Sequence, residues 1–297
     1  MSESALRSYN CVWCGAKTDP AALSCGSCGA DVDVRAVVTR SGWTKLPPRR
    51  DMAKLQFGAS VCQIEGTFVP VADMNLAAAD SVYFAHHVLL WKDGNVGVEV
   101  MPMKGGFKRL MAGLPLIMTQ AHGPGHIAFS RDAPGELIAL PLQPGQEIDV
   151  REHLFMVGTG SVKYDFFDPK VWFETGSGDD REMHYPLGFF MDRFRAEQSP
   201  GLLLLHAAGN VFVRDLAAGQ SILIKPSALI FKDPSVSVGL HFEHPHAKYS
   251  LWGSWGNRYL WLRVTGPGRV AISSVFEPTE GEHESLRSYS AATSRQW

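Results

Sequence analysis

The chain has 297 residues, 45% of them hydrophobic and 20% charged, with a formal net charge of −2. That length admits one large domain or two modest ones, and the near-neutral charge excludes a global pull toward nucleic acid or anionic lipid. The 29 glycines and 18 prolines punctuate short apolar runs, which favours β-structure with many turns over a helical bundle.

Residues 1–10 lack the apolar core of a signal peptide. No stretch reaches the roughly 20 apolar residues that span a bilayer; the run Leu202–Leu205 is cut short by His206, Gly209 and Asn210. The chain therefore reads as soluble and cytoplasmic, where thiols stay reduced.

Cys11, Cys14, Cys25 and Cys28 follow the pattern C-x2-C-x10-C-x2-C, and each pair is followed by glycine (Gly15, Gly29). Two cysteines at this spacing turn both thiolates onto one ion, and two such turns close a tetrahedral zinc shell. Some 30 residues cannot bury enough apolar surface to fold alone, and a structural zinc supplies on the order of 10 kcal/mol in place of a core. Two disulfides, unrelated thiols or an iron–sulfur cluster are the alternatives. The spacing in a reduced compartment favours structural Zn2+, so residues 1–33 are predicted to form a zinc ribbon. Arg7 and Lys17 balance Glu3 and Asp19, which argues against a phosphate-binding ribbon. Trp13 is expected to pack on the knuckle, and Cys62, in an apolar stretch, to be a buried small residue.

Residues 34–56 form a basic, proline-containing linker: Arg35, Arg40, Lys45, Arg49, Arg50 and Lys54 face only Asp51, and Pro47-Pro48 stiffens the middle. It reads either as a solvated spacer or as a partner-binding arm anchored by Trp43, Arg49 and Arg50.

Residues 57–276 contain internal copies. Ala79–Phe84, Gly145–Val150 and Gly219–Ile224 align with one another, and each leads into an apolar run: Val88–Trp91, Leu154–Val157 and Ala228–Phe231. Alternation places Val82 and Phe84, Ile148 and Val150, and Ile222 and Ile224 on one sheet face. The continuous runs are predicted to be strands buried on both faces. A second element, strand–glycine turn–strand, recurs at Leu116–Phe129, Leu202–Val213 and Leu260–Ile272, and reads as a tight hairpin. The expected body is all-β, built from three pseudo-repeated units. Helix is scarce, with Leu187–Glu197 at best one short helix. The polar tail, residues 277–297, is expected to be disordered.

The segment Met103-Lys104-Gly105-Gly106-Phe107-Lys108-Arg109-Leu110-Met111-Ala112-Gly113, the glycine-proline-glycine turns and the three turn-strand copies resemble the altered inheritance of mitochondria protein 24 family, over about residues 57–276. The chain departs from the family pattern at Leu114-Pro115 and at Ser273-Ser274. The resemblance implies a fold like the tryptophan RNA-binding attenuation protein. That is three short double-stranded β-helix or jelly-roll units per chain and a homo-oligomeric ring, with a trimer as the expected assembly. It implies no catalytic residue.

His241, His244 and His246 form H-x-x-H-x-H beside Glu243, a spacing that β-folds use for metals, so these three are a candidate second metal site. Pro245 suggests a turn instead, where solvated histidines are ordinary. His122 and His206 precede two of the glycine turns, but Thr265 fills the third position, so threefold metal binding fails. No nucleophile elbow, P-loop, dinucleotide fingerprint or H-E-x-x-H is present. The resulting expectation is a non-catalytic oligomeric scaffold or adaptor whose ribbon binds a protein partner. A single-stranded-RNA-binding ring and a metal-dependent jelly-roll enzyme are the alternatives.

Overall fold

The computed structural model describes residues 9–10, 16–18, 26–27, 41–46, 53–102, 117–175, 181–243 and 259–277. The first strands are β1 (Tyr9–Asn10), β2 (Lys17–Thr18), β3 (Thr44–Lys45), β4 (Ala53–Phe57) and β5 (Ser60–Glu65). Next come β6 (Val71–Leu76), β7 (Ser81–Phe84), β8 (Leu89–Lys92), β9 (Gly97–Pro102), β10 (Ile117–His122) and β11 (Gly125–Ser130). The middle of the chain forms β12 (Glu136–Leu142), β13 (Glu147–Arg151), β14 (Phe155–Thr159), β15 (Val162–Phe167), β16 (Phe173–Thr175), β17 (Glu182–His184), β18 (Met191–Ala196) and β19 (Gly201–Ala207). The last strands are β20 (Val211–Leu216), β21 (Ser221–Ile224), β22 (Leu229–Lys232), β23 (Ser237–Glu243), β24 (Tyr259–Thr265) and β25 (Gly268–Ser273). Helix is limited, among the described residues, to the 3-10 turns His86–Val88 and Pro226–Ala228. The all-β expectation holds.

Four sheets stack as layers, in the orders β4-β5-β6-β11-β8, β12-β19-β14-β7-β10-β9, β15-β18-β13-β22-β25-β20-β3 and β21-β24-β23. Strand β19 shows how the sequence builds them. Leu202 and Leu204 enter the core between the five- and six-stranded sheets, whereas Leu203, Leu205 and Ala207 enter the core between the six- and seven-stranded sheets. Side chains alternate across a strand, so an unbroken leucine run fits a layer covered on both faces. Each buried leucine contributes about 1.5–3 kcal/mol. A third core, with Leu229 and Val270 against Ile224, Leu262 and Val264, joins the seven-stranded sheet to the three-stranded one. None of these sheets closes into a barrel among the described residues.

The antiparallel pairings follow a regular order. β6 pairs with β11, β7 and β9 with β10, and β8 with β11. β12 and β14 pair with β19, and β13 and β15 with β18. β20 and β22 pair with β25, and β21 and β23 with β24.

Three sequence expectations are corrected. The glycine turns are not hairpins: β10 and β11, β19 and β20, and β24 and β25 each lie in two different sheets. The turns are corners that carry the chain from one layer to the next. Gly125 and Gly268 serve them with φ of 138° and 129°, which a side chain rarely adopts. Leu187–Glu197 is not helical, since Met191–Ala196 is strand β18. Its Phe194 and Ala196 are buried on one face while Arg195 is exposed on the other. Finally, the run Val88–Trp91 is not buried on both faces, because Leu90 is 54% and Trp91 43% exposed.

Asp149, Lys232 and Asp192 are buried charged residues of the seven-stranded sheet. Asp149 on β13 accepts hydrogen bonds from Arg193 Nε (2.7 Å) and Nη2 (3.0 Å) on β18, and from Lys232 Nζ (2.8 Å) on β22. The Asp149 carboxylate holds the Arg193 guanidinium above its ordinary pKa.

Candidate functional site

Strands β7 and β13 each pair on their second side with a strand from farther along the chain. Phe84, Tyr83 and Val82 of β7 face Val157, Gly158 and Thr159 of β14. Val150 and Asp149 of β13 face Phe231 and Lys232 of β22. The two ladders share one register on the sequence-aligned segments. Both also bury what they join: Met156 and Val157 are sealed against β7, Ile230 and Phe231 against β13, and none of the four exceeds 1% exposure. Gly158 is required by this contact, since a Cβ there would meet the Tyr83 ring at 2.6 Å.

Among the described residues, the aligned strands at the two ends of the series have no such partner. β8 is the edge of the five-stranded sheet, and β21 is the edge of the three-stranded one. Their side chains are correspondingly open: Leu90 and Trp91 on β8, and Leu223 on β21, which is 40% exposed. Tyr83 and Asp149, at the position aligned with Leu223, are 3% and 0% exposed. An uncovered strand with apolar side chains is a template for adding another strand. Sequence reading treated the three copies alike and could not show which lacked a neighbour.

The residues singled out from sequence are distributed as follows. Cys11, Cys14, Cys25 and Cys28 lie outside the described residues. β1 and β2, which flank the first cysteine pair, form an antiparallel pair with Tyr9 opposite Thr18. Arg49, Arg50, His244 and His246 also lie outside the described residues. Trp43 sits beside β3, which pairs with β20; its ring packs on the third core and lies 5.9 Å from the Arg214 guanidinium. His241 accepts a hydrogen bond at Nδ1 from Arg263 (2.8 Å). No group of three or more potential metal ligands occurs among the described residues.

The other histidines serve separate contacts. His122 bonds Glu99 (2.8 Å) and His126 bonds Asp73 (3.3 Å). The buried hydroxyl–imidazole pair Thr175–His184 (2.6 Å) has Glu182 approaching the same Nε2, at 4.0 Å; nucleophile activation needs a carboxylate on the ring's far nitrogen, and none is bonded there among the described residues. A cavity of about 430 Å³ beside Asp80, Ser81, Thr159 and Ser161 has its polar groups engaged internally. Asp80 accepts from the Ala59 amide and Ser60 Oγ, and Ser161 donates to the Pro200 carbonyl.

Cys62 is buried on β5, and burial pushes its thiol up to about 12. The thiolate is the reactive form, so Cys62 is expected to resist iodoacetamide at pH 8 in the folded protein and to react in urea. Mass mapping of the alkylated peptides checks this; rapid native labelling of Cys62 would refute its burial.

No helix among the described residues is long and apolar enough to cross a membrane. No functionally curated protein matches the chain. The crystal structure of a Streptococcus pyogenes protein superposes with a TM-score of 0.53 at 18% identity, covering 73% of this chain and 94% of that one; this likeness concerns the fold alone. The family model described as Mitochondrial biogenesis AIM24 matches residues 62–275, a span that holds the six-stranded layer and both open edge strands. The chain belongs to the AIM24 family.

Proposed function

We propose that the protein is a non-catalytic β scaffold that assembles into a closed ring and displays its ribbon to a protein partner. In this reading residues 71–130, 136–207 and 211–273 are three copies of one six-strand unit, with β16 and β17 inserted in the second. Each unit would be a short jelly-roll-like element. Within the chain, the second strand of one unit takes up the third strand of the next. Between chains, β21 of one copy would take up β8 of another, in the same register, with Ile224 opposite Trp91 and Leu223 opposite Lys92.

The observation that supports this most is the contrast at matched positions. Copies of the two strands are sealed inside the chain and open at its two ends. The contact joins two different surfaces, so it is heterologous and closes a ring when the rotation per chain permits. Three chains would present nine units and three ribbons. The ribbon's four cysteines, as an all-thiolate ligand set, suit structural zinc rather than catalysis.

Native mass spectrometry of the full chain tests the assembly and the metal together. The expected species is a trimer of the 32.6 kDa chain, with one zinc per chain. A C11S/C14S variant should lose the zinc. A monomer at micromolar concentration would overturn the ring, and zinc-free wild type would overturn the ribbon.

A further inference from the structure

We propose that Arg131, His87 and His153 form a binding site for a small oxyanion of the phosphate class. The three come from different connections: the 3-10 turn before β8, the segment joining β11 to β12, and the segment joining β13 to β14. Arg131 Nη1 lies 2.9 Å from His87 Nε2. A guanidinium only donates, so in the free protein His87 is the acceptor and must be neutral at that nitrogen.

The charge around Arg131 is unbalanced. Burial, then Arg131, then His153 and His86 hold His87 below its ordinary pKa. Burial, Arg131 and Arg151 do the same to His153. Burial and then Arg131 lower the pKa of His206, and its buried Nε2 has no hydrogen-bond partner. Two acids stand in this neighbourhood: Glu152, 3.9 Å from His153 Nε2, whose pKa burial raises, and Asp132, the chain neighbour of Arg131.

Three other arginines of the fold are compensated. Arg193 pairs with Asp149 and Arg269 with Asp233, and Arg151 has Glu277 and Glu152 in electrostatic reach. Arg131, like Arg263 with His241, faces an imidazole with no carboxylate at ion-pair distance among the described residues, and burial lowers its pKa. The backbone adds a second sign. Asp132 and His153 are non-glycine residues with φ of 58° and 69°, a conformation that persists at ligand-binding sites where the surroundings enforce it.

An oxyanion placed here would replace His87 as the acceptor for Arg131, and two protonated imidazoles would flank it. A charge-assisted bond to each is stronger than a neutral one. Binding therefore strengthens as pH falls toward the depressed His87 and His153 values, which lie below the ordinary histidine value of about 6.5. His153, whose side chain is 70% exposed, leaves the site open to solvent.

The test is NMR titration of the imidazole rings of the full chain in inorganic phosphate and, at matched ionic strength, in chloride. Phosphate is expected to raise the pKa values of His87 and His153 by about one unit. His122 and His126, bonded to Glu99 and Asp73 away from this cluster, are the reference rings for the comparison. R131Q is expected to weaken phosphate binding about tenfold. H153N provides a second variant if R131Q does not fold, since asparagine tolerates positive φ, and it should weaken binding severalfold. Equal titrations in phosphate and chloride would overturn the site. So would a phosphate shift shared by all the histidines, or one that survives either substitution unchanged.

Discussion

Replacing Asp149 with alanine is expected to destabilise the fold by about 3–5 kcal/mol, because it strands a buried cation. Asp149 is fully buried, and the Lys232 side chain bonded to it is only 6% exposed. Without the carboxylate, Lys232 keeps one weak acceptor, the Asp233 carbonyl at 3.4 Å. Arg193, at 35% exposure, can turn toward water, so most of the loss falls on the lysine. The triad also joins three adjacent strands across long stretches of sequence, and β22 meets β13 through only two register pairs, one of them Asp149–Lys232. A double variant D149L/K232M should recover much of the loss, since removing both partners of a buried pair avoids the uncompensated charge. Urea unfolding followed by tryptophan fluorescence, at fixed protein concentration because assembly adds apparent stability, measures both variants. A loss below about 1 kcal/mol in D149A would mean that water reaches Lys232 and that this junction is not sealed.

The second large effect concerns assembly. Leu223 pairs with Arg263 on β24 just as Asp149 pairs with Arg193 on β18. In the proposed ring its other neighbour is Lys92, as Lys232 is for Asp149. L223K would place a lysine between Arg263 and Lys92, and like charges directly opposite across strands are destabilising. The variant is expected to be monomeric. Its fold should be intact, because position 223 is already 40% exposed in the single chain. Far-ultraviolet circular dichroism checks the fold alongside the mass.

Much of the fold was legible because its signals are local. Val82, Phe84, Ile148 and Val150 alternate as half-buried strands do, and all four are buried. The alternation failed at the residues between them. Tyr83 and Asp149 are buried as well: Tyr83 stacks on Phe155 of β14 in the core between the six- and seven-stranded sheets, and Asp149 is held by Arg193 of β18 and Lys232 of β22. Period-2 reasoning cannot see a cover that arrives from far along the chain. The opposite error occurred at Leu90 and Trp91. Their composition matches Met156-Val157 and Ile230-Phe231, yet no strand among the described residues covers them.

The glycine corners were legible as turns but not as changes of sheet. Turn chemistry fixes the local backbone, while the partner of the next strand depends on long-range pairing. The reading of residues 187–197 as at best one short helix missed strand β18, which carries Asp192 and Arg193. Their charges are taken up across the sheet, by Tyr164 Oη donating to Asp192 (2.8 Å) and by Asp149. Of the candidate site, the strands that form it were visible in the sequence. Their openness was not, since it is a property of which copies stand at the ends. The Arg131 cluster gave no sequence signal, because its members come from three separate connections.

The most direct test of the ring compares the native masses of L223K and L223D. Both replace the same leucine with a charge, so they share the loss of apolar contact and differ in sign. L223D would rebuild between chains the arrangement seen within the chain at Asp149, Arg193 and Lys232. The account predicts a trimer for wild type and L223D and a monomer for L223K. Equal masses for the two variants would contradict it, whether both assemble or both fall apart.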